Sequence, residues 1–222
     1  MNFPAEALRF LRALTRNNRR EWFNAHRDDY EAYVRQPMTA IVDRLAVDFR
    51  AFAPELVASP KVSIYRIYRD TRFSDNKTPY KTHAAAVFPT RGLPKHQGAG
   101  VYFQISPEEV WIGGGMYMPQ APQLFAVREH IAGHLKQLRA IVESPGFRKH
   151  LGELGGDKLT RVPRGFAKGH PAAEYLKLKH FVAGAGFPPT LATSPAFYKT
   201  LLTVFRQVTP LTRFLNTPLL EG

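Results

Sequence analysis

The apolar residues of the first third of the chain recur every three or four positions, a spacing that predicts helices. The first apolar stripe consists of Ala7, Phe10, Leu11 and Leu14. A second stripe, aromatic and half polar, consists of Trp22, His26, Tyr30, Tyr33 and Val34. Pro37 is expected to open a third helix and Pro54 to close it. Its apolar stripe consists of Met38, Ile41, Val42, Leu45, Phe49 and Phe52.

From Val62 onwards the apolar period changes to two, which is typical of strands. Val62, Ile64, Arg66 and Tyr68 would then share one face of a first strand. Further strands are predicted at residues 83–90, 99–105 and 109–112. The last two are separated only by Ser106-Pro107-Glu108, and connections this short favour an antiparallel hairpin.

Helical spacing returns over residues 121–143, and brief extended pieces are predicted at residues 159–162 and 180–183. Ser194-Pro195 suits the start of a last helix, which we expect Pro210 to kink or divide. The sequence contains no internal repeat, low-complexity tract or linker. It therefore predicts a single α+β domain over residues 1–222, with a mainly antiparallel sheet packed against N-terminal and C-terminal helices.

The composition limits the chemistry and the expected location. The chain has no cysteine, which excludes disulfides, thiolate chemistry and cysteine-ligated zinc. Its 44% hydrophobic and 22% charged residues are typical of a soluble globular protein. The N-terminus mixes charges with apolar residues, unlike a signal peptide, and no run approaches the ~20 apolar residues of a membrane span. We therefore expect a cytoplasmic protein without membrane association.

The formal net charge of +13 is unevenly distributed. Residues 121–222 carry fourteen basic and six acidic side chains, whereas residues 1–59 are nearly balanced. A basic surface attracts nucleic acid or phosphorylated ligands. Nucleic acid bound by the basic C-terminal half is therefore one functional hypothesis. We do not favour it, because many basic proteins lack that role.

Residues 63–83, with the sequence SIYRIYRDTRFSDNKTPYKTH, combine an unusual set of charges with an apolar strand pattern. If the strand stays extended past Tyr68, Asp70 lies between Arg66 and Arg72 on one face and would orient both guanidinium groups. Pro79 stiffens the turn that follows. The basic side chains that we expect to bind an anion are Arg66, Arg69, Arg72, Lys77 and Lys81.

Three functional hypotheses follow for this stretch. In the first, it forms a pocket for a small phosphate or carboxylate ligand, with an enzyme as one version of that hypothesis. Asp70, His83 and Tyr80 are then the candidate catalytic residues, and His83 or Tyr80 would move protons. The second hypothesis is the nucleic-acid module described above. In the third, an inert Arg–Asp–Tyr network holds the fold together or serves a protein partner.

Other motifs add little chemistry. In the loop RGFAKGHP, Lys168 and His170 could complete an anion site, although a plain Gly-rich connection also explains the loop. His130 and His134 have the spacing of a zinc motif, but Ile131 replaces its glutamate, so no metal site is predicted. Gly113–Gly114–Gly115 lacks the GK[ST] ending of a phosphate loop and indicates close backbone packing or a bulge. The sequence indicates no cofactor and no oligomeric state.

The segment NNRREWFNAHRDDYE, followed by RIYRDTRFSDNKTPYKTH, resembles a family of bacterial and fungal proteins described as domain of unknown function 2461. The resemblance runs nearly end to end and includes GGGMYMP and GHPAAEYLKLKHF. In that family an acid is frequent where this chain has Asn76 and Gly169, which weakens any role that needs a carboxylate there. The resemblance implies one intact domain, but no activity, cofactor or catalytic residue.

Overall fold

The N-terminal third of the protein is helical in a computed structural model that describes residues 1–72 and 74–221. Its helices are α1 (Ala5–Arg16), α2 (Arg20–Ala25), α3 (Arg27–Tyr30) and α4 (Gln36–Phe52). A π-helical turn at Glu31–Arg35 joins α3 to α4 without a break. The third predicted helix is confirmed as α4, which begins at Gln36 with Pro37 in its first turn and follows the π-helical turn directly.

Four antiparallel strands form one sheet in the order β1 (Ala84–Pro89), β2 (Gly100–Ile105), β3 (Val110–Met116) and β4 (Phe181–Phe187). The predicted hairpin is confirmed, with Gln104 opposite Trp111. Strand β3 continues beyond its predicted end at Ile112, because the three glycines stay in register with β4. Strand β4 begins near the predicted extended piece at 180–183 and is longer.

The strand predicted from Val62 to Arg69 does not form, and its first two residues belong to a helical turn. Pro60–Ser63 forms one helical turn, α5, because the Ser59 hydroxyl accepts a hydrogen bond from Val62 N and Pro60 suits the first helical position. The chain is then paired only through isolated bridges, Ile64 to Ala86 and Tyr68 to Tyr80. Residues 64–69, called the edge segment below, thus form no regular strand: Ile64 and Tyr65 lie beside β1, and residues 67–69 lie beside residues 79–81.

The C-terminal part contains α6 (Ala121–Gly133), α7 (Leu135–Val142), α8 (Pro145–Leu151), α9 (Ala173–Leu176) and α10 (Phe197–Leu220). Pro210 does not divide α10, which continues for 24 residues. Instead of a strand, residues 159–162 form bends and loop. Within the described residues, no helix is long and apolar enough to cross a membrane.

One face of the sheet packs against α10 in the hydrophobic core, and the other face is only partly covered. Phe103 of β2 lies 5.9 Å from Phe197 of α10, and Phe88 of β1 lies 5.8 Å from Phe205, between ring centroids. Because side chains alternate along a strand, the neighbours of Phe103 point away from α10. Those neighbours, Tyr102 and Gln104, are only half-buried. The predicted single-domain α+β fold, with helices packed on an antiparallel sheet, is confirmed.

Candidate anion-binding site

The open face of the sheet forms the floor of a cavity of about 580 Å³, called the sheet-face cavity. Its walls come from the edge segment, from residues 81–83 and from the loop between β1 and β2. Among the described residues that line it, none is acidic. The basic and aromatic side chains of the lining are Tyr65, Lys81, His83, Lys95, His96, Tyr102, Trp111 and Tyr117.

The floor is built from alternate strand residues and from glycines. Tyr102 donates a hydrogen bond of 2.7 Å from its hydroxyl to Gln104 Oε1, which fixes both side chains on the sheet. The six-membered ring of Trp111 covers Gly113 and Gly184, where a Cβ would approach it to 2.6 and 2.5 Å. Only glycine therefore fits beneath this indole, and two of the glycines in β3 and β4 are accounted for.

One wall depends on how the edge segment is held. The backbone N of Tyr65 donates to Ala85 O at 3.0 Å, and Lys81 N donates to Ile67 O at 2.8 Å. These bonds bring Lys81 beside Tyr65, with the Lys81 Nζ 4.9 Å from the ring centroid. The Lys95 Nζ lies 4.5 Å from the same ring and donates to Val62 O at 2.5 Å. Two ammonium groups thus meet at one tyrosine.

The electrostatics of these lysines are unfavourable in the absence of an anion. Burial lowers the pKa of Lys81, and the nearby positive charges of Arg66 and Lys95 lower it further. Burial also lowers the pKa of Lys95. Neither ammonium takes part in an ion pair within the part of the chain that the structure describes. A bound anion would replace the solvation that these two groups lose.

His83 lies in the same cavity and is half-buried. Burial lowers its pKa, the charge of Lys81 lowers it further, and Glu108 partly opposes both. The direction of this pKa shift favours the neutral imidazole, the form that can accept a proton.

Arg66 points to the other side of the edge segment. It lines a smaller groove of about 280 Å³ together with Arg27 and Arg35, and we call this the arginine groove. Tyr68 and Glu31 also line it. The predicted alternation of side chains along the edge segment explains why Tyr65 and Arg66 enter different sites.

Two other side chains predicted to bind an anion, Arg69 and Lys77, stabilise the turn within residues 69–78 instead. Arg69 donates to the Thr78 hydroxyl at 2.5 Å and to the Ser74 hydroxyl at 3.3 Å. Lys77 Nζ donates to the backbone carbonyl of Thr71 at 3.1 Å and is exposed. The sequence predicts a turn at residues 73–76, FSDN, and its first residue, Phe73, lies outside the described residues.

Asp70 does not hold two arginines in place, as the sequence suggests. It accepts three hydrogen bonds from Arg72, two from the guanidinium at 3.0 and 2.8 Å and one from the backbone N at 3.2 Å, and these lower the pKa of its carboxyl to about 2. The charge of Arg66 contributes only weakly. The correction has a simple cause: residues 66–70 do not form a regular strand, so strand alternation does not place Arg66 and Asp70 on one face.

Tyr80 lies in the core and does not line the cavity. It is 3% exposed, and its ring stacks on Phe23 at a centroid distance of 4.2 Å. The Asn18 side chain bonds both its backbone N and its backbone O, at 3.0 and 2.9 Å.

The loop at 164–171 does not complete the sheet-face cavity. Lys168 is exposed, and His170 Nδ1 accepts a hydrogen bond from Ala172 N at 3.0 Å, just before α9. Phe166 lies 6.2 Å from Phe125 of α6, which shows where this loop packs. Lys81 and His83 are therefore the predicted site residues that the structure brings together.

The sequence reasoning missed most of the cavity. Lys95 and His96 belong to residues 91–98, RGLPKHQG, for which the sequence predicts only a flexible basic loop between strands. Tyr102 and Trp111 were placed in strands but not in a site. One signal was available: Tyr102, Gln104 and Trp111 all fall on the face of the hairpin opposite its apolar residues, where a solvated sheet would carry small polar groups.

The fold and the cavity define a single-domain α+β protein with a basic, aromatic-lined pocket on an open sheet face. A family model described as conserved hypothetical protein (DUF2461) matches residues 6–214, and the chain belongs to this family. The comparisons with curated proteins and with solved structures give no significant match.

Proposed function

We propose that the protein binds a small organic anion, a phosphate or a carboxylate, in the sheet-face cavity. The observation that carries this proposal is the pair of half-buried ammonium groups, Lys81 and Lys95, in a lining whose described residues include no acid. An interior ion-pair network would place carboxylates beside such groups. Here the compensating negative charge is left for a ligand.

The volume of the cavity supports a small molecule. Ligand pockets typically measure about 300–1,000 Å³ and combine apolar walls with a few converging polar groups. The sheet-face cavity, at about 580 Å³, falls in this range. Lys81 and Lys95 would hold the anion, and Gln104, fixed by Tyr102, would orient it.

Catalysis is a further part of the proposal, and His83 is its candidate base. Of the three residues predicted to be catalytic, His83 lines the cavity, whereas Asp70 is paired with Arg72 and Tyr80 is buried.

The alternative hypothesis, nucleic-acid binding, is supported only by the net positive charge of the chain. A cytoplasmic location stays a prediction from the cysteine-free composition.

Isothermal titration with phosphate- and carboxylate-bearing compounds, guided by a thermal-shift screen, tests the proposal. Lys81→Met and Lys95→Met should each weaken binding about tenfold or more, because a hydrogen bond to a charged group contributes about 1.5–3 kcal/mol. Lys77→Met is the matched control, since it removes the same charge from an exposed position outside the cavity. The proposal fails if no such compound binds, or if Lys77→Met weakens binding as much as Lys81→Met.

A further inference from the structure

The sheet-face cavity is much larger than an inorganic anion. A phosphate ion occupies the space of a few water molecules, each with a share of about 30 Å³ of liquid volume. The cavity measures about 580 Å³. An anion bound at Lys81 and Lys95 would leave most of the cavity volume unfilled. The residues that line this remaining volume therefore indicate the chemistry of the rest of the ligand.

Those walls are aromatic and form a row. The Tyr65 and Tyr102 ring centroids are 6.4 Å apart, and the Tyr102 and Trp111 centroids are 5.8 Å apart. Tyr117 also lines the cavity and is 68% exposed, so it borders the opening. The neighbouring rings are inclined at 59° and 54°, so each presents its own flat surface, and a planar ligand ring that stacks on one of them contacts the edge of the next.

The two ammonium groups lie at one end of the row. Both lysines lie at Tyr65, with Nζ atoms 4.9 and 4.5 Å from its centroid, whereas Trp111 ends the row on β3. The Trp111 indole lies directly on the sheet, because Gly113 and Gly184 beneath it have no Cβ that would collide with the ring. The glycines thus leave room above the sheet at the Trp111 end of the row, away from Lys81 and Lys95.

We infer that the ligand is a planar aromatic ring carrying an anionic group, with the anion at Lys81 and Lys95 and the ring along Tyr102 and Trp111. This inference rests on the proposed function and adds the chemical class of the organic part. Nucleotides and simple aryl phosphates or carboxylates share this chemistry. Core packing does not explain the row, because it lies on the face of the sheet opposite α10.

Matched ligand pairs that differ only in the ring provide the test. Phenyl phosphate is compared with methyl phosphate, and benzoate with acetate, by isothermal titration. In at least one pair the aromatic member should bind about tenfold more tightly or better, as expected for stacking of one ring. Adenosine monophosphate against ribose phosphate then distinguishes a nucleotide from a simple aryl anion.

Variants locate the ring. In Trp111→Leu the advantage of the aromatic member should fall several-fold, while the affinity for methyl phosphate or acetate stays unchanged. Tyr117→Ala, at an exposed position, provides a second test should Trp111→Leu fail to fold. In a Trp22→Phe background Trp111 is the remaining tryptophan, and its fluorescence should respond to the aromatic member of each pair.

The outcomes separate the two proposals. If both members of every pair bind equally, or if Trp111→Leu and Tyr117→Ala leave their ratio unchanged, the aromatic inference is overturned and the anion site stands. If no member of any pair binds, both proposals are overturned. Lys81→Met should weaken both members alike, which links the ring to the same site.

Discussion

The two sides of the edge segment show how burial distinguishes one group of cations from another. On one side Lys81 and Lys95 are half-buried beside Tyr65, and burial together with the charges of Arg66 and Lys95 lowers the Lys81 pKa. On the other side Arg27 and Arg66 are exposed, and Glu31 lines the same groove. Water already stabilises the charges of exposed guanidinium groups, so they gain less from a ligand. A cluster of basic residues in sequence therefore identifies a site only where the fold removes water from it.

The largest expected effect separates Tyr80 from its neighbour Lys81. Tyr80→Ala should lower the free energy of unfolding by about 3 kcal/mol, because it removes a buried ring stacked on Phe23. Urea denaturation measures this loss. Tyr80→Phe keeps the ring and should stay within about 1 kcal/mol of the original protein.

Lys81→Met, by contrast, should change anion binding with little change in stability. A Tyr80→Ala protein as stable as the original would show that Tyr80 does not act through the core. Loss of ligand binding in a fully stable Tyr80→Phe variant would show that the Tyr80 hydroxyl has a functional role.

The next effect tests how the cavity floor is built. Gly184→Ala places a Cβ 2.5 Å from Trp111 Cζ2 and 2.7 Å from Ile112 O. Overpacking of this kind costs about 1–3 kcal/mol and should displace the indole. Urea denaturation and the Trp111 fluorescence measure the two consequences.

Gly133→Ala is the control, because nothing lies within 4 Å of its added Cβ. At the end of α6 that substitution should be neutral or slightly stabilising. Equal effects of the two substitutions would contradict the close packing of Trp111 on the sheet.

A smaller effect connects pH to occupancy of the cavity. Because burial lowers the His83 pKa, the unfolded chain takes up its proton at higher pH than the folded chain does. The free energy of unfolding should therefore fall as the pH drops below about 6.5, the ordinary value for histidine. A bound anion favours protonated His83, so saturating ligand should reduce this loss.

Urea denaturation between pH 8 and pH 5, with and without ligand, measures this dependence in the original protein and in His83→Gln. His130, whose pKa is also lowered by burial, lies on α6 outside the cavity lining. His130→Gln should therefore reduce the pH dependence without changing the ligand effect. His96 also lines the cavity with a pKa lowered by burial, so His96→Gln is measured alongside; a ligand effect that survives in His83→Gln and is lost in His96→Gln would contradict the assignment to His83.

The sequence predicted the parts of the fold that local patterns determine. Alternation of apolar residues located β1, β2 and the start of β3, and helical spacing located α1 and α4. It failed at Val62, where Ser59 and Pro60 start a helical turn that overrides the period of two. In this case a capping residue outweighed an apolar pattern only a few residues long.

The site was harder to predict, because its residues are distant in sequence and converge only through strand pairing. Lys81 and Lys95 are brought to one ring because β1 and β2 are adjacent and the loop between them folds over the sheet. Charge density identified Lys81 and His83, but it also selected Arg69 and Lys77, which stabilise the turn. Composition cannot separate these roles, since the difference is one of burial.

The smallest effect concerns Asp70 and Arg72, which lie at the exposed end of the stretch and belong to neither cavity lining. Two hydrogen bonds from the Arg72 guanidinium and one from its backbone N keep the Asp70 pKa at about 2, and Arg72→Gln removes the guanidinium bonds, the larger contribution, while the backbone bond stays. Both side chains are largely in water, so Asp70→Asn should leave the urea midpoint and ligand binding unchanged near pH 7. In an NMR titration, Arg72→Gln should return the Asp70 carboxyl towards its ordinary value near 3.8. Lys77→Gln removes a nearby charge without this contact and should leave the titration unchanged, whereas an unchanged titration in Arg72→Gln would show that Arg72 is not its cause.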